Sequence, residues 1–206
     1  MRRFIASAAL VALLSTPALA QQTLEGVAAD TYQLDPTHAF LTWTVQHNGL
    51  SGYTVNFTDF DATLDFDPED PGASELSVTI DPMGVETNHP DADEREEWHT
   101  EISTDDRFLN GDEYSEITFV STSAEQTGDF TGTVTGDLTF LGVTKPVTLD
   151  VTYNGTANVP WYGPRDLIGF NATTTIKRSD FGMTAMIPMI SDEVEIEFSG
   201  EFLQNE

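Results

Sequence analysis

Four histidines are the candidate metal ligands and acid–base groups of this chain, which contains no cysteine. His38 and His47 have opposite parities in one alternating stretch, so a strand would point them to opposite faces, where they cannot chelate one ion. His89 and His99 lie in an acidic segment whose oxygens suit a divalent cation, but a solvated loop explains this composition better. We therefore predict no metal site. The sequence also contains no GxSxG, HExxH or P-loop motif, so no catalytic residues are predicted.

Arg178 is one of only 8 basic residues and lies at the end of an alternating stretch. Two interpretations are open. Either Arg178 binds a phosphate or quinone oxygen of a ligand, or it bonds to Asp180 or to the backbone and closes the strand end. We favour the second. His47 has a similar pair of interpretations, contact with a polar headgroup at the mouth of a barrel or a structural hydrogen bond.

Apolar and polar residues alternate with a period of two in most of the chain, and this predicts eight strands that each have one dry face. The strands cover residues 32–47, 60–66, 76–80, 117–121, 133–140, 147–153, 168–176 and 194–202. Residues 48–52 are predicted to be a turn. Residues 88–111 lose the alternation and are predicted to be a long connection with a short helix. Phe57 and Phe60 disagree in parity, which predicts a bulge near Thr58 and Asp59.

Eight antiparallel strands must bury their dry faces, either in a closed barrel or between two sheets. Small residues on these faces favour a barrel with space inside. They are Ala39, Ala62, Gly136, Ala172 and Gly200. Gly136 lies between Val134 and Leu138 on one dry face, and we predict that it faces an open cavity rather than a packed core.

The N-terminus has a basic start, a short apolar run and the small-x-small site Ala18-Leu19-Ala20. This pattern predicts a signal peptide over residues 1–20, cleaved after Ala20, and a mature chain with a leader at 21–31 and one domain at 32–206. Without Arg2 and Arg3 the mature chain has 8 − 2 = 6 basic and 35 acidic residues, a formal charge of 6 − 35 = −29. Such a surface repels nucleic acid and anionic membranes. No later segment is apolar enough to predict membrane insertion.

Five stretches in order resemble one known family. They are LDPTHAFLTWTVQH, NFTDFDATLDFDP, EYSEITFVST, GDLTFLGVTKPV and IKRSDFGM. The chain therefore resembles the YceI-like family. Members of this family are exported lipocalin-like barrels that hold polyisoprenoid or other long-chain lipids. This chain departs from the family pattern at Leu141, where a His is usual, and between Asn88 and Asn110. The resemblance implies an all-β fold, an eight-stranded antiparallel lipocalin-like barrel with a short helical connection.

The resemblance also implies a periplasmic carrier or reservoir for a long-chain amphipathic lipid such as an isoprenoid quinone. It implies no enzymatic activity, no cofactor, and a monomer or homodimer. By position and parity, the residues that would line the tail are Trp43, Val45, His47, Phe60, Leu64, Phe66, Phe119, Leu138, Phe140, Leu149, Val151, Phe170, Ile196 and Phe198, with His47 and Arg178 at the headgroup. The alternative for each is a plain core residue. For the whole protein the alternatives are a barrel enzyme that acts on a lipid, and an acidic structural protein with a packed core.

Overall fold

The computed structural model of the protein describes residue 20 and residues 22–206. One antiparallel sheet dominates it, and its strands are β1 Asp30–His47, β2 Ser51–Phe57, β3 Phe60–Phe66, β4 Glu75–Ile80, β5 Val85–Glu86, β6 Ile117–Gln126, β7 Thr131–Phe140, β8 Val143–Ala157, β9 Leu167–Lys177 and β10 Ile190–Gln204. The α-helix, α1, is Ala92–Thr104, and the short 3-10 turns are Pro71–Ala73, Pro160–Tyr162 and Arg178–Phe181. The predicted signal peptide lies outside the described residues, apart from Ala20.

The sheet closes on itself because β1 pairs with β10. β2 and β3 follow one another along β1, β2 beside its second half and β3 beside its start. β4 and β5 repeat this arrangement beside β3 and β2. The ten strands therefore fill eight positions around the wall. This confirms the predicted eight-stranded antiparallel barrel with a short helical connection.

The predicted turn at residues 48–52 is shorter in the structure, because the strand pairing of β2 already begins at Ser51. Asn48 and Gly49 have φ values of 53° and 66°, so a left-handed pair makes the turn compact. The predicted bulge at Thr58 and Asp59 is a complete break between two strands. There the Thr58 amide donates to the Gly84 carbonyl at 2.7 Å.

Helix α1 begins at a sequence signal. The Asp91 side chain accepts hydrogen bonds from the amides of Asp93 and Glu94, as an N-cap does, and acidic residues in the first turn suit the positive end of the helix dipole. The helix carries Trp98 and Ile102 over one end of the barrel. No helix among the described residues is long and apolar enough to cross a membrane.

The buried residues form two clusters inside the barrel. One contains Tyr32, Phe66, Tyr153 and Phe202. The other contains Val55, Phe119, Phe140 and Phe181 and lies at the end that α1 covers. Leu76 and Val78 pack against both clusters. The barrel interior is therefore organised in layers along its length.

The prediction that Gly136 faces an open cavity is wrong. A Cβ atom at Gly136 would lie 2.5 Å from Cζ of Phe119 and 2.6 Å from the Val120 carbonyl oxygen. Gly200 is covered in the same way by Phe198, whose Cζ would lie 2.5 Å from a Cβ there. Aromatic rings from neighbouring residues occupy the space that these two glycines leave, which sequence parity alone does not show.

The outer face of the barrel is strongly acidic, and along β10 only Glu193 has a basic cross-strand neighbour, Lys177, whereas Glu195 and Glu197 have none. Glu195 and Glu197 are exposed and follow one another on one face of the strand. In the register their neighbours on β1 and β9 are threonines, Thr44 and Thr175 beside Glu195. With a formal net charge of −27, the folded chain therefore carries self-repulsion that no cross-strand pair offsets here.

We expect added salt to stabilise the fold, because the Debye length falls from about 10 Å at 0.1 M to about 3 Å at 1 M. A gain of about 1 kcal/mol would raise the Tm by roughly 2–4 °C for a chain of this size. Thermal unfolding in NaCl measures it. The double variant Glu195→Gln/Glu197→Gln should start at a higher Tm and gain less from salt. A Tm that falls as NaCl is added would contradict this prediction.

Candidate ligand-binding cavity

A cavity of about 460 Å³ lies inside the barrel at the end covered by α1. Its wall is almost entirely apolar and comes from three sources: the barrel strands, α1 with the segment that follows it, and the loop before β10. The lining residues are Leu41, Trp43, Val45, His47, Ser51, Tyr53, Phe57, Ile80, Trp98, Glu101, Ile102, Phe108, Leu109, Ile117, Leu138, Phe140, Ile176, Arg178, Met183, Met186, Ile190, Val194 and Ile196. We call it the main cavity. Its size and character are those of a small-molecule site.

The rim of the main cavity includes several exposed residues. His47 and Ser51 flank the turn between β1 and β2, and Trp98, Glu101 and Met186 are supplied by α1 and by the loop before β10. Glu101 forms an ion pair with Arg107 at 2.8 Å. The cavity therefore meets solvent between α1, this turn and this loop.

Two buried polar groups of the main cavity have no hydrogen-bond partner within residues 22–206. They are the Trp43 indole nitrogen Nε1 and the Tyr53 hydroxyl. The Thr87 hydroxyl lies near Tyr53 but without hydrogen-bond geometry. Burial raises the pKa of Tyr53, so its hydroxyl keeps its proton at neutral pH. Both atoms are closed off from solvent in this structure, so each is a buried donor whose missing hydrogen bond costs stability.

Arg178 is only 3% exposed and lines the same cavity. Its Nε donates to the Ser191 carbonyl at 2.8 Å and its Nη2 to the Ile190 carbonyl at 3.0 Å. The nearby Asp192 carboxylate instead accepts bonds from the Ser179 amide and hydroxyl. Burial lowers the pKa of Arg178, and the Asp192 charge acts in the opposite direction. Under the favoured interpretation, Arg178 bonds to Asp180 or to the backbone at the strand end. The bonds to the backbone are present, and Asp180 takes no part in them.

A second, smaller cavity of about 140 Å³ lies toward the other end of the barrel. It is walled by β3, β4 and β6–β10, with Leu24 of the leader at its edge. Among its lining residues are Leu64, Phe66, Phe130, Tyr153 and Phe202.

The residues predicted to line the tail divide into three groups. The main cavity is lined by Trp43, Val45, His47, Leu138, Phe140 and Ile196. The smaller cavity is lined by Leu64, Phe66, Leu149, Val151, Phe170 and Phe198. Phe60 and Phe119 line neither cavity and pack in the layer between them. The structure thus brings the predicted residues together in two places rather than in one tube.

Sequence reasoning missed several lining residues. On the predicted strands it omitted Leu41, Ile80, Ile117, Ile176 and Val194, and outside those strands it missed two further sets. Tyr53 and Phe57 belong to β2, which the sequence analysis did not identify as a strand. Trp98, Ile102, Phe108 and Leu109 face the cavity from the connection after β5. The only signal for this second set was that they are the few large apolar residues in an otherwise acidic segment.

His38 lies outside the cavity and forms structural hydrogen bonds. Nδ1 of His38 lies 2.9 Å from Asp35, whose carboxylate also accepts from the Tyr162 hydroxyl at 2.9 Å. Burial raises the pKa of Asp35, but hydrogen bonds from Thr37, His38 and Tyr162 outweigh it and hold that pKa well below its usual range. His38 and Asp35 lie within about 4.8 Å of a Glu201 oxygen, the one metal-compatible group among the described residues. Hydrogen bonds at the register shift between Leu34 and Ala39 of β1 account for this arrangement.

Of the two remaining histidines, His99 lies on α1 and His89 lies just before it. Nε2 of His99 accepts a hydrogen bond from the Thr87 amide at 3.0 Å, and the His89 ring packs 4.9 Å from the Trp98 ring, centroid to centroid. Both side chains therefore hold α1 against the segment before it.

A closed barrel of eight strand positions with an apolar interior cavity and a few buried donors defines a class of small-ligand-binding barrels. The YceI-like domain profile matches residues 32–202. The chain belongs to this family.

Similar proteins agree with this assignment. A UPF0312 protein of Pseudomonas putida is 42% identical over 161 residues, which cover 77% of this chain and 79% of the relative. The crystal structure of Burkholderia cenocepacia BcnA has a TM-score of 0.70 at 22% identity and covers 84% of this chain and 99% of that one. A polyisoprenoid binding domain from Saccharophagus degradans, implicated in plant cell wall breakdown, has a TM-score of 0.60 at 18% identity and covers 85% and 98%.

Proposed function

We propose that this protein binds an amphipathic isoprenoid lipid and holds it as a carrier or reservoir, with the hydrocarbon tail in the main cavity. The observation that carries the proposal is a cavity of about 460 Å³ with apolar walls inside a closed barrel. Burial of a hydrocarbon surface against such walls is favourable by roughly 25 cal/mol per Å². A fully packed interior, as in an acidic structural protein, would leave no such space.

The polar groups of the cavity suggest where the headgroup binds. Trp43 Nε1 and the Tyr53 hydroxyl are hydrogen-bond donors without partners, and Arg178 is a buried cation whose bonds go to backbone carbonyls. A phosphate or a quinone carbonyl oxygen offers only acceptors, so it suits this set of donors. His47 lies at the rim, where it would meet the same headgroup.

Two further points support this function. The polyisoprenoid binding domain of Saccharophagus degradans shares the fold, and the N-terminal residues have the pattern of a signal peptide. We propose on this basis a periplasmic location, with the signal peptide cleaved after Ala20. We also propose that the protein is not an enzyme and needs no cofactor, because the Asp35, His38 and Glu201 group lies away from both cavities.

The variant Ile196→Trp tests this function. Ile196 points into the main cavity beside Trp43, its partner in the pairing of β10 with β1, so an indole ring at this position should fill ligand space. We expect at least a tenfold loss of affinity for geranylgeraniol, about 1.4 kcal/mol, measured by isothermal titration calorimetry.

Glu195→Trp is the matched control, because Glu195 is the next residue of the same strand and is exposed on the outer face. This variant should bind geranylgeraniol as the wild type does. A folded Ile196→Trp variant that retains wild-type affinity would show that the main cavity is not the lipid site.

A further inference from the structure

The main and smaller cavities have no lining residue in common within the described chain. On three strands the inward-facing residues follow the same order along the barrel. On β7, Val134 lines the smaller cavity, Gly136 lines neither and Leu138 lines the main one. β4 repeats this order at Leu76, Val78 and Ile80, and β9 at Ala172, Thr174 and Ile176. On β10, Ile196 lines the main cavity and the next inward residue, Phe198, lines the smaller one. A layer of side chains from the other side of the barrel therefore lies between the two cavities, and it consists of Phe60, Val78, Phe119, Gly136, Val147 and Thr174.

Phe119 and Phe60 are the two large side chains of this layer, and the Phe119 ring lies over Gly136 on the neighbouring strand. Phe119 is 6% exposed, and it pairs with Val78 on one side and Leu138 on the other. Its ring extends diagonally over Gly136, where a Cβ atom would lie only 2.5 Å from Cζ. The glycine is therefore what allows the ring to lie in this position.

A hydrocarbon chain that enters at the rim and fills the main cavity meets this layer at the inner end of that cavity. Most of the layer is fixed, because its residues are small or β-branched and attached to paired strands. The Phe119 ring can leave its position by rotation about its side-chain bonds. A chain longer than the main cavity must displace the ring or leave its end outside the barrel.

We propose that the Phe119 ring, seated on Gly136, is a partition that determines the length of hydrocarbon chain the barrel accepts. This inference rests on the proposed lipid-binding function. With the ring in place, the protein prefers chains that fit the main cavity. With the ring removed, the two cavities join and longer chains gain contacts with Leu149 and Phe170 of the smaller cavity.

The test compares farnesol, geranylgeraniol and solanesol, presented in one nonionic detergent, as ligands of the delipidated full chain. In Phe119→Ala we expect the affinity for solanesol relative to farnesol to rise by about tenfold or more, since a few added methylene contacts have effects of this size. Val120→Ala is the matched control. Val120 is the next residue of β6, is exposed on the outer face and lines neither cavity, so its truncation should leave this ratio at the wild-type value.

The outcomes distinguish a failure of the proposed partition from a failure of the proposed lipid-binding function. If Phe119→Ala binds all three alcohols with the wild-type preference, the partition is disproved while lipid binding remains. If the wild type binds none of them, the lipid-binding function itself fails. Removal of a buried phenyl ring is costly to folding, so Phe119→Leu serves as the milder variant. The ratio should shift in the same direction in this variant, and an unchanged ratio would also disprove the partition.

Discussion

Arg178→Met should lower the free energy of unfolding of the delipidated protein by about 2–4 kcal/mol, because two buried carbonyl groups lose a charged donor. Arg178 joins the turn after β9 to the start of β10 through the carbonyls of Ile190 and Ser191. An opposing effect exists, since methionine removes the cost of burying a cation. We expect the hydrogen bonds to outweigh it, because the guanidinium is held by two short bonds of good geometry.

Urea unfolding of Arg178→Met measures this effect, and Lys177→Met is the control. Lys177 is the adjacent residue and is exposed, so its replacement removes the same charge without a buried hydrogen bond. The control should change stability by less than about 0.5 kcal/mol. A stability of Arg178→Met equal to or above that of the wild type would mean that desolvation of the guanidinium dominates, and Arg178 would then be retained for its ligand.

Gly136→Ala should destabilise the barrel by about 1–3 kcal/mol through overpacking. The new methyl group would meet the Phe119 ring at 2.5 Å and the Val120 carbonyl oxygen at 2.6 Å. The ring can move, but the carbonyl belongs to the paired wall, so part of the strain remains. Thermal and urea unfolding measure the loss.

Gly169→Ala is the matched control for this prediction. A Cβ at Gly169 would find its nearest neighbour, Cβ of Asn154, at an ordinary contact distance of 3.6 Å. Both substitutions reduce the entropy of the unfolded chain equally, which favours folding by about 0.4–1 kcal/mol, so their difference isolates the clash. Equal stability of the two variants would show that the wall has room at Gly136.

The sequence predicted most of the barrel because burial of one face of a strand imposes a period of two on the chain. The hairpin of β7 and β8 shows this well, since Leu138, Phe140, Leu149 and Val151 all face the interior as their parity requires. β2 escaped prediction because Gly52 and the turn residues before it interrupt its alternation. The parity of a residue shows which face of the sheet its side chain lies on, but not its position along the barrel axis. Parity therefore could not separate the two cavities.

The parts of the site that the sequence could not predict depend on contacts between distant segments. Trp98 and Ile102 reach the cavity only because α1 folds back over the barrel end. The partnerless donor of Trp43 becomes visible only when its surroundings are known. Gly136 was misread for the same reason, because the ring that fills its space comes from Phe119 on the neighbouring strand.

The central claim is that the main cavity holds a lipid, and extraction of the purified protein with organic solvent tests it most directly. Mass spectrometry of the extract, with quantification against protein, should find an amphipathic isoprenoid lipid in near-stoichiometric amount. The same extraction of Ile196→Trp should yield little of it, whereas Glu195→Trp should retain it. An extract of the wild type that contains no isoprenoid lipid, or equal amounts in wild type and Ile196→Trp, would contradict the claim.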